Sequence, residues 1–290
     1  MKVVEPNDFE GFSFLFRGER GHRLANLAIR LLAIDKANQV YNNSGAWTGT
    51  EFTSRLLDDL GVNYVVGNAE RLQSLPEGPF ITVSNHPYGG LDGLMSIDLF
   101  ARLRPDYKFM VNSILTRIKT LSNNFISVAP TGNKMTGIKA ASIRGVRETI
   151  LHIRNGHPAG FFPSGAVSDF SLKDLRVRDR KWQAGILHII HSVKVPVLPV
   201  RFFDKNSLFF YFLGLLNWRI RLLRLPSEAF NKKGQEPRIG IGKIITVEEQ
   251  AQFTDVESLG SFLRKMVYEM PLPGNFVPRK MINHQIHKLT

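Results

Sequence analysis

At 290 residues and 43% apolar content, the chain is long enough for one large domain with a sizeable core, and wholesale disorder is set aside. It has no cysteine, which excludes disulfides, thiolate metal sites and cysteine nucleophiles. The 38 Lys+Arg against 25 Asp+Glu leave a formal charge of +13, a bias toward acidic partners: nucleic acid, an anionic membrane surface or an acidic carrier protein.

The first residues, "MKVVEPNDFEGFSFLFRGERG", lack the basic start and continuous apolar run of a secretory signal, so export is not expected. Over 20–44, apolar residues recur among Arg and Lys at helical spacing, and the pattern predicts an amphipathic helix. A second helix is expected through "TEFTSRLLDDLG", with Gly61 as its stop. Two short β-rich runs follow, "NYVVG" and "FITVS", then a helix over 93–103. "KFMVN", "FISVA", "AGFFP" and "VPVLPVRFF" read as buried strands, separated by helices over 135–154 and 182–192. "RIGIGKIIT" supplies a last strand, and a helix over 247–268 closes the chain. The most apolar stretch, "LFFYFLGLL", is too short to cross a bilayer, which takes about 20 residues. The alternation predicts an α/β fold: a mostly parallel central sheet flanked by helices. Residues 1–62 are expected to form an N-terminal helical, membrane-associating appendage and residues 63–290 the α/β domain.

Ligands of open α/β sheets sit beyond the carboxyl ends of the strands, where "FITVS" runs into "NHPYGGLDG". There a neutral His86 can take a proton from a hydroxyl, and a carboxylate on its other ring nitrogen fixes the tautomer. Gly89 and Gly90 allow the loop to fold back, which makes Asp92 the candidate carboxylate. A plainer reading stands beside this one: Asp92 as the N-cap of the next helix and His86 as a hydrogen-bonded loop residue.

"NHPYGGLDG" resembles the first motif of the glycerolipid and lysophospholipid acyltransferase family, in its "NHP…GG…DG" form most similar to the haemolysin-labelled branch and to the acyltransferases of ornithine and glycine aminolipids. Family members usually place four residues between the histidine and the aspartate; five separate His86 from Asp92. "GFFPSGAVSD" resembles the third motif, with Pro163, Ser164 in the glutamate position, and Gly165. "VPVLPVRFFD" resembles the fourth, and Pro196 is its proline. "FISVAPTGNKMTG" matches the second loosely, with Lys134 or Lys139 in place of an arginine.

The resemblance implies a membrane-surface O-acyltransferase of lipid biosynthesis. His86 is the expected general base and Asp92 its orienter, acting on an acyl thioester of acyl carrier protein or coenzyme A as donor and a lyso-lipid hydroxyl as acceptor. No metal or other cofactor is expected. Backbone N–H groups of Gly89, Gly90 or Ser164-Gly165 are candidate oxyanion donors. Asn85 reads as a residue near the histidine or as a loop cap. Weak matches at the second and third motifs leave a lysophospholipid and a lyso-aminolipid both open as acceptor. Lys134, Lys139, Arg144 and Arg147 are candidates for its anionic head group, against a solvated helix face. The expected location is peripheral, at the cytoplasmic face of the cell membrane. The surface would be met by the basic helix near Arg20–Lys36 and by "SLFFYFLGLLNWRIRLLRLP", which reads equally as a core helix with a basic tail. Two other classes remain: a catalytically degenerate lipid-binding protein on the same fold, and a basic nucleic-acid-binding protein supported by charge alone.

Overall fold

The computed structural model describes residues 17–128 and 136–286. The helix expected over 20–44 is two helices, α1 (Gly18–Leu31) and α2 (Ile34–Ser44), divided where Ala33 takes a left-handed backbone, φ 56°. Helix α3 (Gly49–Leu60) stops at Gly61. Then come β1 (Val65–Gly67), β2 (Ile81–Ser84), α4 (Gly90–Leu103), β3 (Lys108–Asn112), β4 (Phe125–Val128), α5 (Thr136–Arg154) and β5 (Ala159–Phe161). A hairpin of β6 (Asp169–Ser171) and β7 (Arg176–Arg178) precedes α6 (Ala184–Val193) and β8 (Val197–Phe202). Three short helices follow, α7 (Leu208–Leu216), α8 (Trp218–Leu223) and α9 (Leu225–Phe230). The described chain ends with β9 (Arg238–Ile241), α10 (Val247–Gln250), α11 (Val256–Tyr268), β10 (Phe276–Pro278) and α12 (Arg279–Ile286).

Two helices, α10 and α11, replace the one expected over 247–268, because the segment carries two start signals. Thr246 and Glu249 form a reciprocal capping box, and Asp255 accepts from the N–H groups of Glu257 and Ser258.

The strands form a sheet in the order β10-β1-β9-β8-β2-β5-β3-β4. The five from β8 to β4 run parallel, while β9 is antiparallel to β8 and β10 antiparallel to β1. Alternation along β2 divides its side chains between two layers. Ile81 and Val83 join Phe161, Val197, Ile190, Leu259 and Leu263 in a core under α6 and α11. On the other face, Phe109, Val200, Phe202 and Ile239 pack with Met95, Leu99 and Phe100 of α4. Each such side chain, fully buried, stabilises by about 1.5–3 kcal/mol.

The boundary expected after residue 62 does not part the helices from the sheet. Helix α3 buries Phe52, Leu57 and Leu60 in the same core as Tyr64 and Val66. Arg279, opening α12, is buried against Asp98 of α4 (3.4 Å) and Asp58 of α3 (2.6 Å), and Tyr64 donates its hydroxyl to Asp98 at 2.9 Å. Among the described residues no helix is long and apolar enough to cross a membrane.

Candidate active site

Three parallel strands, β2, β5 and β8, bring Asn85-His86, Phe162-Pro163 and Phe203-Asp204 to one edge of the sheet. Asn85 splices the loop onto β8: its Nδ2 donates to Phe202 O and its Oδ1 accepts from Phe202 N, both at 2.8 Å. Buried, with both polar atoms engaged by Phe202, Asn85 holds the loop to the sheet.

His86 Nδ1 lies 2.8 Å from Asp92 Oδ2. The imidazole stacks on Phe162, with ring centroids 3.9 Å apart and planes 17° from parallel. Asp92 is fully buried, and the same Oδ2 accepts from the N–H groups of Tyr88 (2.8 Å) and Gly89 (3.0 Å). The N-cap expected at Asp92 is instead Gly89, and Asp92, from inside the first turn of α4, bonds both that cap's main chain and the imidazole. The helix begins at Gly90, three residues before the expected start, so Asp92 occupies the third helical position and folds back over the loop. Gly89 makes this possible with φ 80°, and a Cβ there would stand 2.8 Å from Leu225 Cδ2. The five-residue spacing thus closes into a contact. Burial pushes the Asp92 carboxyl up, against the opposing pull of the His86 contact and the two main-chain donors. Its other oxygen, Oδ1, is buried with no hydrogen-bond partner among the described residues, so the carboxylate's bonds there converge on one atom.

The turn after β5 is closed on itself. Gly165 N donates to Phe162 O at 2.9 Å, and the Ser164 hydroxyl donates to Ala166 O at 2.7 Å. Gln183 donates to Pro163 O through its main chain (2.8 Å) and to Ser164 O through its side chain (3.1 Å). Two of the expected oxyanion donors are accordingly occupied: Gly89 N by Asp92 and Gly165 N by Phe162 O. Gly90 opens α4 on the exposed side, with free space where a Cβ would sit.

Pro196 is a correction. Ile81 N, at the start of β2, donates to Pro196 O at 2.9 Å. Because β2 and β8 are parallel, Pro196 lies at the amino end of the strands, a strand's length from His86. Lys134 lies outside the described residues, as does most of the second motif, and of Lys139 only the backbone, in the first turns of α5, is described. Arg144 and Arg147 are exposed on α5.

A further carboxylate comes from a place that sequence reasoning missed. Asp179, directly after β7, is buried, and its Oδ1 accepts from His86 N at 3.2 Å and from Ser168 Oγ at 2.6 Å. Ser168 N donates in turn to His86 O at 2.8 Å. Phe162, the stacking partner of His86, was legible only as part of an apolar strand end.

Helices α7 to α9 close over this loop. Phe210, Tyr211 and Leu225 pack with Val167, and buried Arg221 donates to the carbonyls of Ser168 (3.0 Å) and Val167 (3.3 Å) and pairs with Asp169. Arg221 is thus an internal strut and no part of a basic tail; the side chain of Arg219 lies outside the described residues. The outer side of α7 and α8 is apolar and exposed: Leu208 at 78%, Leu216 at 67%, with Phe209, Phe212, Leu215 and Trp218 about half exposed. Leu223 of α8 packs on Ala25, Ile29 and Ile34 of α1 and α2, which places the exposed Leu24, Leu27 and Leu31 of α1 on a helix adjoining α8.

The acyltransferase family model matches residues 20–272. Lyso-glycine lipid O-acyltransferase of Bacteroides thetaiotaomicron is 24% identical over 243 residues, covering 81% of this chain and 85% of that protein. Its counterpart in Phocaeicola vulgatus is 23% identical over 244 residues, covering 81% and 83%. The crystal structure of 1-acyl-sn-glycerophosphate acyltransferase, PlsC, from Thermotoga maritima aligns with 99% of this chain and 89% of that one, at a TM-score of 0.47 and 18% identity. The family match takes in the His86 loop, the Phe162–Gly165 turn and nearly all of the described strands, and the chain belongs to the acyltransferase family as an enzyme of acyl transfer.

Proposed function

We propose that this enzyme transfers a fatty acyl group from acyl carrier protein or coenzyme A to the hydroxyl of a lyso-lipid. The observation that carries the reading is the 2.8 Å contact of His86 Nδ1 with buried Asp92, which leaves Nε2 as the nitrogen to meet an acceptor. In the proposed step, Nε2 removes the hydroxyl proton as the oxygen attacks the thioester carbonyl carbon. The tetrahedral adduct then collapses, the C–S bond breaks, and the departing thiolate takes the proton back from the imidazolium. Asp92 holds the ring and offsets its transient positive charge. Stacking on Phe162 limits rotation of the imidazole. Gly90 N, first in α4, is the candidate donor to the oxyanion. The step needs no metal and no cofactor beyond the thioester substrate.

A lyso-aminolipid is the acceptor favoured here over a lysophosphatidate. The names of the two bacterial relatives support it, as do the weak matches at the second and third motifs, which in the phosphate-accepting members of the resembled family are associated with binding the acceptor's phosphate; here Ser164 is turned onto Ala166 O. Such an acceptor resides in a bilayer, and the enzyme is proposed to meet it peripherally, at the cytoplasmic face. The exposed apolar side of α7 and α8, which with α9 roof the His86 loop through Arg221 and Leu225, is the contacting surface. The net charge of +13 suits both an anionic leaflet and an acidic carrier protein.

The test incubates wild-type protein and His86→Ala with acyl carrier protein or coenzyme A thioesters and a panel of lyso-phospholipids and lyso-aminolipids, with products read by mass spectrometry. Transfer by the wild type that drops by about 10²–10⁴-fold in the variant is expected. Equal transfer by both removes His86 as the base.

A further inference from the structure

The His86 main chain is held on both sides by one buried carboxylate and one serine. Asp179 Oδ1 accepts from His86 N (3.2 Å) and from Ser168 Oγ (2.6 Å), while Ser168 N donates to His86 O (2.8 Å), so the three residues form a closed ring of hydrogen bonds. Trp182 Nε1 donates to the other oxygen, Oδ2, at 3.3 Å. Among the described residues the donors to this carboxylate, a main-chain amide, a hydroxyl and an indole with the Tyr268 phenol beside them, are all uncharged. Basic residues beside it in the chain turn elsewhere: Arg178 to Asp174, Arg180 to Asp169 and Lys181 to Glu257. From α11, Arg264 reaches the Asp179 carbonyl (2.9 Å), and the Tyr268 hydroxyl accepts from Asp179 N (2.7 Å). Asp179 is thus fixed from behind by α11 and presents its carboxylate to the loop that carries His86.

A buried carboxylate of this kind is costly unless its charge or its bonds are used. The groups that face it are His86 from the β2–α4 loop and Tyr268 and Arg264 from α11, with Asp92 bonded to the imidazole Nδ1. We propose that Asp179 is a second positioning residue for acyl transfer, which clamps the His86 main chain through Ser168 and, by its negative charge, favours the imidazolium that forms when His86 takes the acceptor proton. The inference rests on His86 acting as the base. Burial pushes the Asp179 carboxyl up, and the Ser168 hydroxyl and the charge of His86 draw it back.

The test compares wild type, Asp179→Asn and Ser168→Ala in full-length protein by two readouts. The first is the imidazole titration of His86 by NMR, assigned with His86→Ala, which needs no substrate. The second is the pH profile and the division between kcat and KM for acyl transfer to the acceptor that the wild type uses best in the lyso-lipid panel. Asp179→Asn is expected to weaken proton binding at the imidazole and to lower kcat by about tenfold or more with KM nearly unchanged. Ser168→Ala, which keeps the charge and removes one arm of the clamp, is expected to lower kcat about three- to tenfold and to leave the imidazole pKa in place. A wild-type titration and wild-type kcat in Asp179→Asn overturn the proposal. If Asp179→Asn does not fold, Ser168→Ala decides, and a wild-type kcat there overturns it. Failure of the wild type to acylate any acceptor overturns the functional reading instead, while the titration still reports whether Asp179 acts on His86.

Discussion

Asn85 and Phe202 pair as two strands would, with one side chain supplying both the donor and the acceptor at 2.8 Å. The pair continues the β2–β8 ladder one step past Ser84 and fixes where the His86 loop leaves the sheet. Asn85→Asp keeps the bond from Phe202 N but sets an anion against Phe202 O. A loss of about 2–4 kcal/mol in stability is expected from urea unfolding, with Asn85→Ala costing about 1–3.

Asp92 provides a test of sign. Burial holds its folded-state pKa above the unfolded one, so the folded protein binds this proton more tightly. Stability from this position is greatest in acid and declines as pH rises through the ordinary carboxylate range toward the raised value. Asp92→Asn removes that decline. The variant is expected to melt a few degrees higher than wild type at pH 7 and lower or equal near pH 3, while acyl transfer falls by about 10²–10⁴-fold. Paired scanning calorimetry across that range checks it, and a variant less stable than wild type at pH 7 contradicts the burial argument.

Gly165 has φ 62°, and a Cβ added there would overlap the Gln183 side-chain amide. Gly165→Ala is expected to cost about 1–3 kcal/mol, from the left-handed backbone and from loss of the Gln183 bond to Ser164 O. In the double variant with Gln183→Ala, the clash is gone and only the backbone cost and the lost bond remain. The two changes should therefore combine to less than their sum in a double-mutant cycle.

Phe209, Phe212 and Trp218 are half-exposed apolar side chains on one roof. Replacing all three with serine is expected to lower binding to vesicles containing anionic lipid by tenfold or more in a sedimentation assay, with the melting temperature unchanged or raised. A drop in stability of several degrees would mean that these side chains are packed in solution.

The strands that carry the site were legible because each is a short β-branched or aromatic run bounded by turn residues. The His86–Asp92 pair was a candidate from its glycine-rich spacing, which left a plain helix cap equally open, and it was singled out by the resemblance of "NHPYGGLDG" to the family's first motif. Asp179 was not, since nothing in "DRKW" says that it returns to a loop 93 positions earlier; only the hairpin β6–β7 and the brace from α11 bring it there. Pro196 was misplaced because a motif matched by order carries no register, and register alone shows that it lies beside Ile81. Helix α7 could not be assigned to core or surface from its pattern, as nearly all of its residues are apolar and no polar stripe marks an outer side.

The placement of β10 has a consequence for synthesis. Its Val277 pairs with Val66 of β1, and β1 pairs otherwise only with β9 in the described sheet, so this strand waits for partners more than 170 residues downstream. Helix α3 and Asp98 wait equally long for Arg279. A chain growing from the ribosome can assemble the five parallel strands well before it can seat β1. The nascent protein therefore passes a long interval with an open sheet edge, during which Asp98 has Arg102 of its own helix but not yet Arg279, and the sheet is completed only once β9 and β10 have been made.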